Sequence, residues 1–368
     1  MILNSTLAEQ TIDLDRVDRF IKEIVLVRKR GPEDGPDGVP LAMVRKRHAA
    51  ADARADEPVA RPTRGAVLLL HGFGQNRYAW HLPARSFSNY LAAEGFDVFN
   101  LDLRGHGRSR SLGARPPREL GEYVREDVPV AVAEVKKLSG HDRVFLVGHS
   151  LGGLIAYAAA PALEGSVAGV VSLGSPYQFT RGSRFLSFLG TLMLALDRTV
   201  PLGNAAIPLK EAGEVMRLLR VFVESPLFPL PLRGHAPGSI EPRVLGQHMS
   251  LAMDRGSIAV MRSLFLRAAE ARASGHSLGV LYGFASAFEH IDLPLLVIAG
   301  SKDDLAPPEA VRPAYERCAS SDKTYRVFPS GHIDLLVGRD APFTIWPLVA
   351  SFLTARLRAR VGSSSLLL

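Results

Sequence analysis

Cysteine is nearly absent from this chain. Cys318 is the only one in 368 residues, which excludes an intramolecular disulfide framework and any metal site built from clustered cysteines. Long apolar runs are missing too. None approaches the ~20 residues needed to cross a bilayer. The nearest, Phe185 to Leu196, is interrupted by Ser187, Gly190 and Thr191, and its length fits a buried or interfacial helix. The opening sequence MILNSTLAEQTIDLDRVDRF has no basic start, apolar core or small-residue cleavage site, so no secretory signal is expected. These absences predict a soluble, cytoplasmic protein. A dominant charge sign is also lacking. Lys+Arg number 44 against 37 Asp+Glu, a net charge of +7, which predicts mild attraction to anionic surfaces and no nucleic-acid partner. There is no H-E-x-x-H, EF-hand loop, phosphate-loop signature or G-x-G-x-x-G after a first strand. No metal or cofactor is therefore expected.

What is present is a globular chain. Hydrophobic residues make up 47% and charged residues 22%, close to the usual balance. Residues 1–22 read as an irregular N-terminal segment. Glu23–Arg30 and Val39–His48 read as strands of a hairpin joined by the turn formers GPEDGPDG. Their basic clusters, Arg28-Lys29-Arg30 and Arg45-Lys46-Arg47, are read as solvated strand ends, with peripheral membrane contact as the alternative. Residues 49–64 have no apolar period and read as a mobile loop.

Short apolar runs follow at Ala66–Leu70, Asp97–Leu101, Arg143–Val147, Val167–Leu173, Leu295–Ala299 and Thr324–Phe328. Runs of this length, rich in Val, Leu and Ile, fit strands buried on both faces. Helical patterns at Pro83–Ala93, Leu120–Leu138, Leu151–Ala160, Glu309–Cys318 and Phe343–Arg360 separate most of them. Alternation of this kind predicts a mainly parallel sheet covered on both sides. It fails over 176–290, which read as helices and loops. An insertion that long between two core strands predicts a helical cap. The core is then 23–175 with 291–360, and 361–368 form a tail.

The most informative stretch is Gly148-His149-Ser150-Leu151-Gly152, a G-x-S-x-G between an apolar strand and a helix. A serine on so sharp a turn needs small neighbours, which Gly148 and Gly152 supply. The helix start adds a positive field near the hydroxyl. A serine is a poor nucleophile alone and needs a base held by a third group. His332, on the loop after the last short strand, is the candidate base. His71, His106 and His149 sit in glycine-rich turns with supporting roles. His235, His248, His276 and His290 read as exposed or hydrogen-bonded polar residues. Asp303 and Asp304, after Leu295–Ala299, are the candidate acids. After Ala66–Leu70, His71-Gly72-Phe73 offers an oxyanion donor in the Phe73 N–H, with the Leu151 N–H as the second. Asp102-Leu-Arg-Gly-His-Gly-Arg-Ser109 has the glycines and arginines of a phosphate loop but lacks its pattern, and is read as structural support.

Taken together, HGFGQN, DLRGHGRS, GHSLGG, the G-x-x-D turn at Asp303 and the GH at His332 resemble the α/β-hydrolase superfamily. The resemblance spans residues 65 to 345. It implies an α/β-hydrolase fold, a mainly parallel eight-stranded sheet with helices on both faces and a mostly helical cap after the sixth strand. It places the nucleophile, acid and base on Ser150, Asp303 and His332, and favours Asp303 over Asp304. The segments beginning at His332 and Asp303 are also similar to the acid-lipase branch, although GHSLGG lacks that branch's glutamine after serine. The likeness to polyhydroxyalkanoate synthases is weaker, because their nucleophile is a cysteine. Haloalkane dehalogenases and epoxide hydrolases of this fold carry aspartate where Ser150 stands. The implied activity is cofactor-independent hydrolysis of a small-molecule carboxylic ester with an apolar acyl group. A thioesterase or acyltransferase with the same triad, or a non-catalytic binding module on the same scaffold, are the alternatives.

Overall fold

The computed structural model describes residues 1–29, 38–51, 62–197, 205–225, 234–273 and 283–364. The expected turn at 31–37, most of the 49–64 loop, Arg30, His276 and the end of the tail lie outside them. The chain runs through β1 (Ile2–Asp13), β2 (Arg16–Lys29), β3 (Val39–His48), β4 (Ala66–Leu70), β5 (Asp97–Asp102), β6 (Val144–His149) and β7 (Val167–Leu173). A short pair, β8 (Ala206–Ile207) and β9 (Gly256–Ser257), precedes β10 (Leu295–Gly300) and β11 (Lys323–Phe328). Nine strands form the main sheet in the order β1-β2-β3-β5-β4-β6-β7-β10-β11. From β5 to β11 neighbouring strands are parallel, whereas β1, β2, β3 and β5 pair antiparallel.

The sheet has one strand more than expected. Residues 1–22, read as an irregular segment, form β1 and the start of β2, a hairpin on the sheet edge. Most of β1 is exposed, so its side chains show little of the apolar alternation that marks a half-buried strand. The second basic cluster, Arg45-Lys46-Arg47, also differs from expectation. Arg45 is buried, with its guanidinium on Asp97 and Glu23. Lys46 is fully buried, donating to Gln10 and Asn89. As consecutive strand residues they point to opposite faces, and both faces are covered at this point of β3, so these two cations form no solvated patch.

That alternation also builds the core. In β4, Leu68 and Leu70 pack on one face with Phe99, Leu146 and Tyr157, while Val67 and Leu69 pack on the other with Val98, Val147 and Trp346. Every one of the four β4 residues is fully buried, each contributing roughly 1.5–3 kcal/mol of apolar burial. Helices Val128–Ser139 and Leu151–Ala159 cover the first face; Phe87–Ala93 and Ile345–Ser364 cover the second. Prolines interrupt two of the expected helices. The predicted 120–138 helix passes through a π turn at Tyr123–Asp127 just before Pro129. The predicted 309–318 helix divides into Pro308–Val311 and Pro313–Arg317, because Pro313 has no N–H to continue the ladder.

Between β7 and β10 the chain leaves the sheet. Helices Arg184–Asp197, Leu209–Leu218, Pro242–Gln247 and Ile258–Ala273 lie in this insertion. It is stitched to the sheet's loops by backbone hydrogen bonds, Asn76 N to Ala252 O, Asp254 N to Gly74 O and Ile333 N to Gly234 O.

Candidate active site

Ser150 joins β6 to the helix Leu151–Ala159 with φ 55° and ψ −121°. A non-glycine residue there carries ~1–3 kcal/mol of backbone strain, which persists only when its surroundings hold it. Here they do: the Ser150 N–H donates to Leu173 O at 2.9 Å, and Ser150 O accepts from Gly153 and Leu154. The flanking glycines follow from contact. A Cβ on Gly148 would overlap the Gly152 backbone, and one on Gly152 would overlap Leu70 O.

The candidate acid and the candidate base meet beside this turn. The His332 Nδ1–H donates to Asp303 Oδ2 at 2.7 Å. Asp303 Oδ1 accepts from the N–H groups of Leu305 and Ala306 at 2.9 and 2.8 Å, which fixes the carboxylate. Of the 303/304 pair, Asp303 is the carboxylate hydrogen-bonded to the ring. With its proton on Nδ1, neutral His332 presents Nε2 as an acceptor. Burial pulls the His332 pKa down, but Asp303, with Asp304 and Asp334, outweighs it and the net shift is upward.

His149 lies against His332, ring centroids 4.6 Å apart, and its Nε2–H donates to the His332 carbonyl at 3.1 Å. Burial, then the His332 charge, pushes its pKa well below 6.5, so it stays neutral beside His332. His71 is fully buried, bonding Gly72 O through Nδ1 and accepting from Leu103 N–H through Nε2. Each thus joins two loops by hydrogen bonds. In the Asp102–Ser109 loop, Asp102 accepts from Arg77 and from the Arg108 N–H, and Arg104 pairs with Asp127 and Glu126.

A Cβ on Gly72 would lie 3.1 Å from Ser150 Cβ and 3.3 Å from His149 Nδ1, so the chain passes close against the serine at Gly72. Among the described residues, no backbone hydrogen bond uses the N–H of Phe73 or Leu151. Leu151 opens its helix, where such N–H groups have no intrahelical acceptor. Gln75, which the sequence did not single out, holds the loop: its Oε1 accepts from Gly72 N–H at 3.0 Å. Asp334 was also missed. Its Oδ2 accepts from Gly331 at 2.6 Å and from Ala236 at 3.0 Å, tying the His332 loop to the insertion. His248 was read as a surface or hydrogen-bonded histidine; it is buried, next to Gln75 Nε2 at 3.5 Å, and burial lowers its pKa to about 4. A polar residue after a glycine-rich turn is too common a signal to have revealed Gln75 or Asp334.

Ser150 and His332 open onto one cavity of about 400 Å³. The sheet loops form its floor. The insertion forms its roof with Leu186, Leu189, Leu209, Met216, Met253 and Met261. Among the described residues, no group of three or more His, Cys, Asp or Glu is arranged to hold a metal ion, and no helix is long and apolar enough to cross a membrane.

Comparison with known proteins bears on the fold and the family. A monoacylglycerol lipase of Mycolicibacterium smegmatis is 28% identical over 271 residues, 72% of this chain and 80% of that protein. Epoxide hydrolase B of Mycobacterium tuberculosis matches at 32% over 132 residues, 35% of this chain and 33% of its own length. This chain therefore spans about a third of that relative. Among solved structures, a Thermogutta terrifontis esterase superposes with a TM-score of 0.56 at 18% identity, over 90% of this chain and 98% of that one. A Saccharomyces cerevisiae monoglyceride lipase does so with 0.55 at 20%, over 90% and 96%. The family model for the alpha/beta hydrolase fold matches residues 65–339, and the chain belongs to that family.

Proposed function

We propose that this protein hydrolyses carboxylic esters through an acyl-enzyme on Ser150. The observation that carries the reading is the 2.7 Å Asp303–His332 bond beside a strained serine on the same cavity. His332 Nε2 takes the Ser150 proton as Oγ attacks the ester carbonyl carbon. The oxyanion is held by the N–H groups of Phe73 and Leu151, each such donor contributing roughly 3–4 kcal/mol. The C–O bond to the alcohol then breaks, and His332 returns the proton to the leaving oxygen. Water, deprotonated by His332, attacks the acyl-enzyme and releases the acid and free Ser150. Asp303 holds the ring's tautomer and stabilises its cation throughout. No cofactor enters these steps.

In this reading residues 176–290 act as a cap, and its leucines and methionines receive an apolar acyl chain. The similarity to monoacylglycerol and monoglyceride lipases supports a lipid-like ester, while serine at position 150 stands against epoxide opening. The helix Arg184–Asp197 supplies Leu186 and Leu189 to the cavity and exposes Phe188, Leu192 and Leu196, an apolar row suited to substrate taken from an aggregate. We place the protein in the cytoplasm. A p-nitrophenyl ester series tests the substrate class: kcat/KM rises from acetate to octanoate in this account. A preference for acetate, or faster turnover of a thioester with the same acyl chain, contradicts it.

A further inference from the structure

A second cavity, of about 630 Å³, lies on the other side of the 71–78 loop. Lys22 from β2, Arg77, Arg108 and Arg110 line it from the sheet side, and Lys210 from the insertion. Arg77 pairs with Asp102 and Arg110 with Asp254. Lys22, Arg108 and Lys210 make no ion pair among the described residues. Five cations thus meet two carboxylates, an imbalance that a concave, low-dielectric wall concentrates. The Lys22 ammonium registers it. Burial first, then the charges of Arg77 and Arg108, lower its pKa below 10.5. A field that disfavours one more cation favours an anion.

The surroundings explain why the catalytic reading leaves this groove unused. Asp102 turns its loop so that Arg104 is buried on Asp127, while Arg108, four residues on, faces the groove. Met253 lines both cavities, and Lys210 follows Leu209 of the Ser150 cavity. We propose that this groove binds a phosphoryl group, at a site distinct from Ser150 where the sheet loops meet the insertion. A planar guanidinium and two ammonium groups around one concavity suit a tetrahedral oxyanion, which takes several charge-assisted hydrogen bonds at once. One bound group then bridges Lys22 and Arg108 on the core to Lys210 on the insertion.

Calorimetric titration with inorganic phosphate and with glycerol 3-phosphate, glycerol serving as the neutral control, tests the soluble source. Flotation with phosphatidylglycerol against phosphatidylcholine vesicles tests the lipid headgroup. Wild type is expected to bind at least one phosphoryl probe and not its neutral counterpart, and Arg108→Gln/Lys210→Gln to weaken that binding by about tenfold or more. Binding confined to phosphatidylglycerol vesicles and lost in the double variant assigns the site to a lipid headgroup. Acetic anhydride footprinting of wild type guards against a misfolded variant: glycerol 3-phosphate or phosphatidylglycerol shields Lys22 and Lys210 but not the exposed Lys137. Absence of binding by every phosphoryl probe, equal binding by the double variant when it is folded, or unshielded lysines overturns the proposal.

Discussion

The floor and the roof of the Ser150 cavity are built on opposite plans. On the floor hydrogen bonds pin the loops: Asp303 accepts from two backbone N–H groups and His332, and His149 and Gln75 hold the His332 loop and the Gly72 loop. The roof is Leu and Met, side chains that fill space without fixed direction. Chemistry demands one geometry, so its loops are pinned. In the proposed function, accommodation of an acyl chain demands volume, which a soft lining supplies. Substitutions on the floor should therefore abolish turnover, and those on the roof should re-rank substrates.

The largest effect is expected at Ser150. Ser150→Ala should lower kcat on the order of 10⁶-fold with an unchanged melting temperature; near-wild-type hydrolysis of a p-nitrophenyl ester breaks the division. Asp303→Asn should cost roughly 10⁴ in kcat, because an amide neither fixes the tautomer nor stabilises the cation. It should also move the pH profile. Protonated His332 cannot accept from Ser150, and its pKa lies above the ordinary 6.5. Wild-type kcat/KM should therefore fall as pH drops through a midpoint above that value, and Asp303→Asn should shift the limb to lower pH. An unmoved midpoint assigns the limb to another group.

Roof substitutions are expected to act more gently. Met216→Trp should reduce octanoate-ester kcat/KM within the roughly 10–200-fold range of a hydrophobic-pocket change and spare the acetate ester. Equal loss on both means that the roof also positions the catalytic groups. The glycines give the smallest contrast. Gly152→Ala, where a Cβ meets Leu70 O, should destabilise by about 1–3 kcal/mol or more. Gly246→Ala, whose Cβ meets only Arg217 at 3.9 Å, should stabilise by about 0.5–1 kcal/mol. Denaturant titration measures both.

What could be read beforehand follows the same division. The inner parallel strands β4, β6, β7 and β10 announce themselves because both faces are buried and nearly every residue is apolar, whereas β11, expected to be buried on both faces, is an edge strand with half-buried and exposed side chains. The Ser150 turn does so because steric overlap leaves only glycine at 148 and 152. β1 escapes because most of its side chains are in water. Gln75 and Asp334 escape because a side chain that caps a loop's N–H groups follows no fixed spacing. Lys46 misleads because Arg-Lys-Arg looks like a surface cluster, while its pairing with Gln10 and Asn89 joins residues far apart in sequence.

The reactivity of one hydroxyl is the centre of this account, and labelling with a fluorophosphonate followed by peptide mapping measures it most directly. Wild type should carry a single adduct on Ser150, formed far more slowly in His332→Ala and absent in Ser150→Ala. An unlabelled wild type, or an adduct on another residue that survives Ser150→Ala, contradicts it.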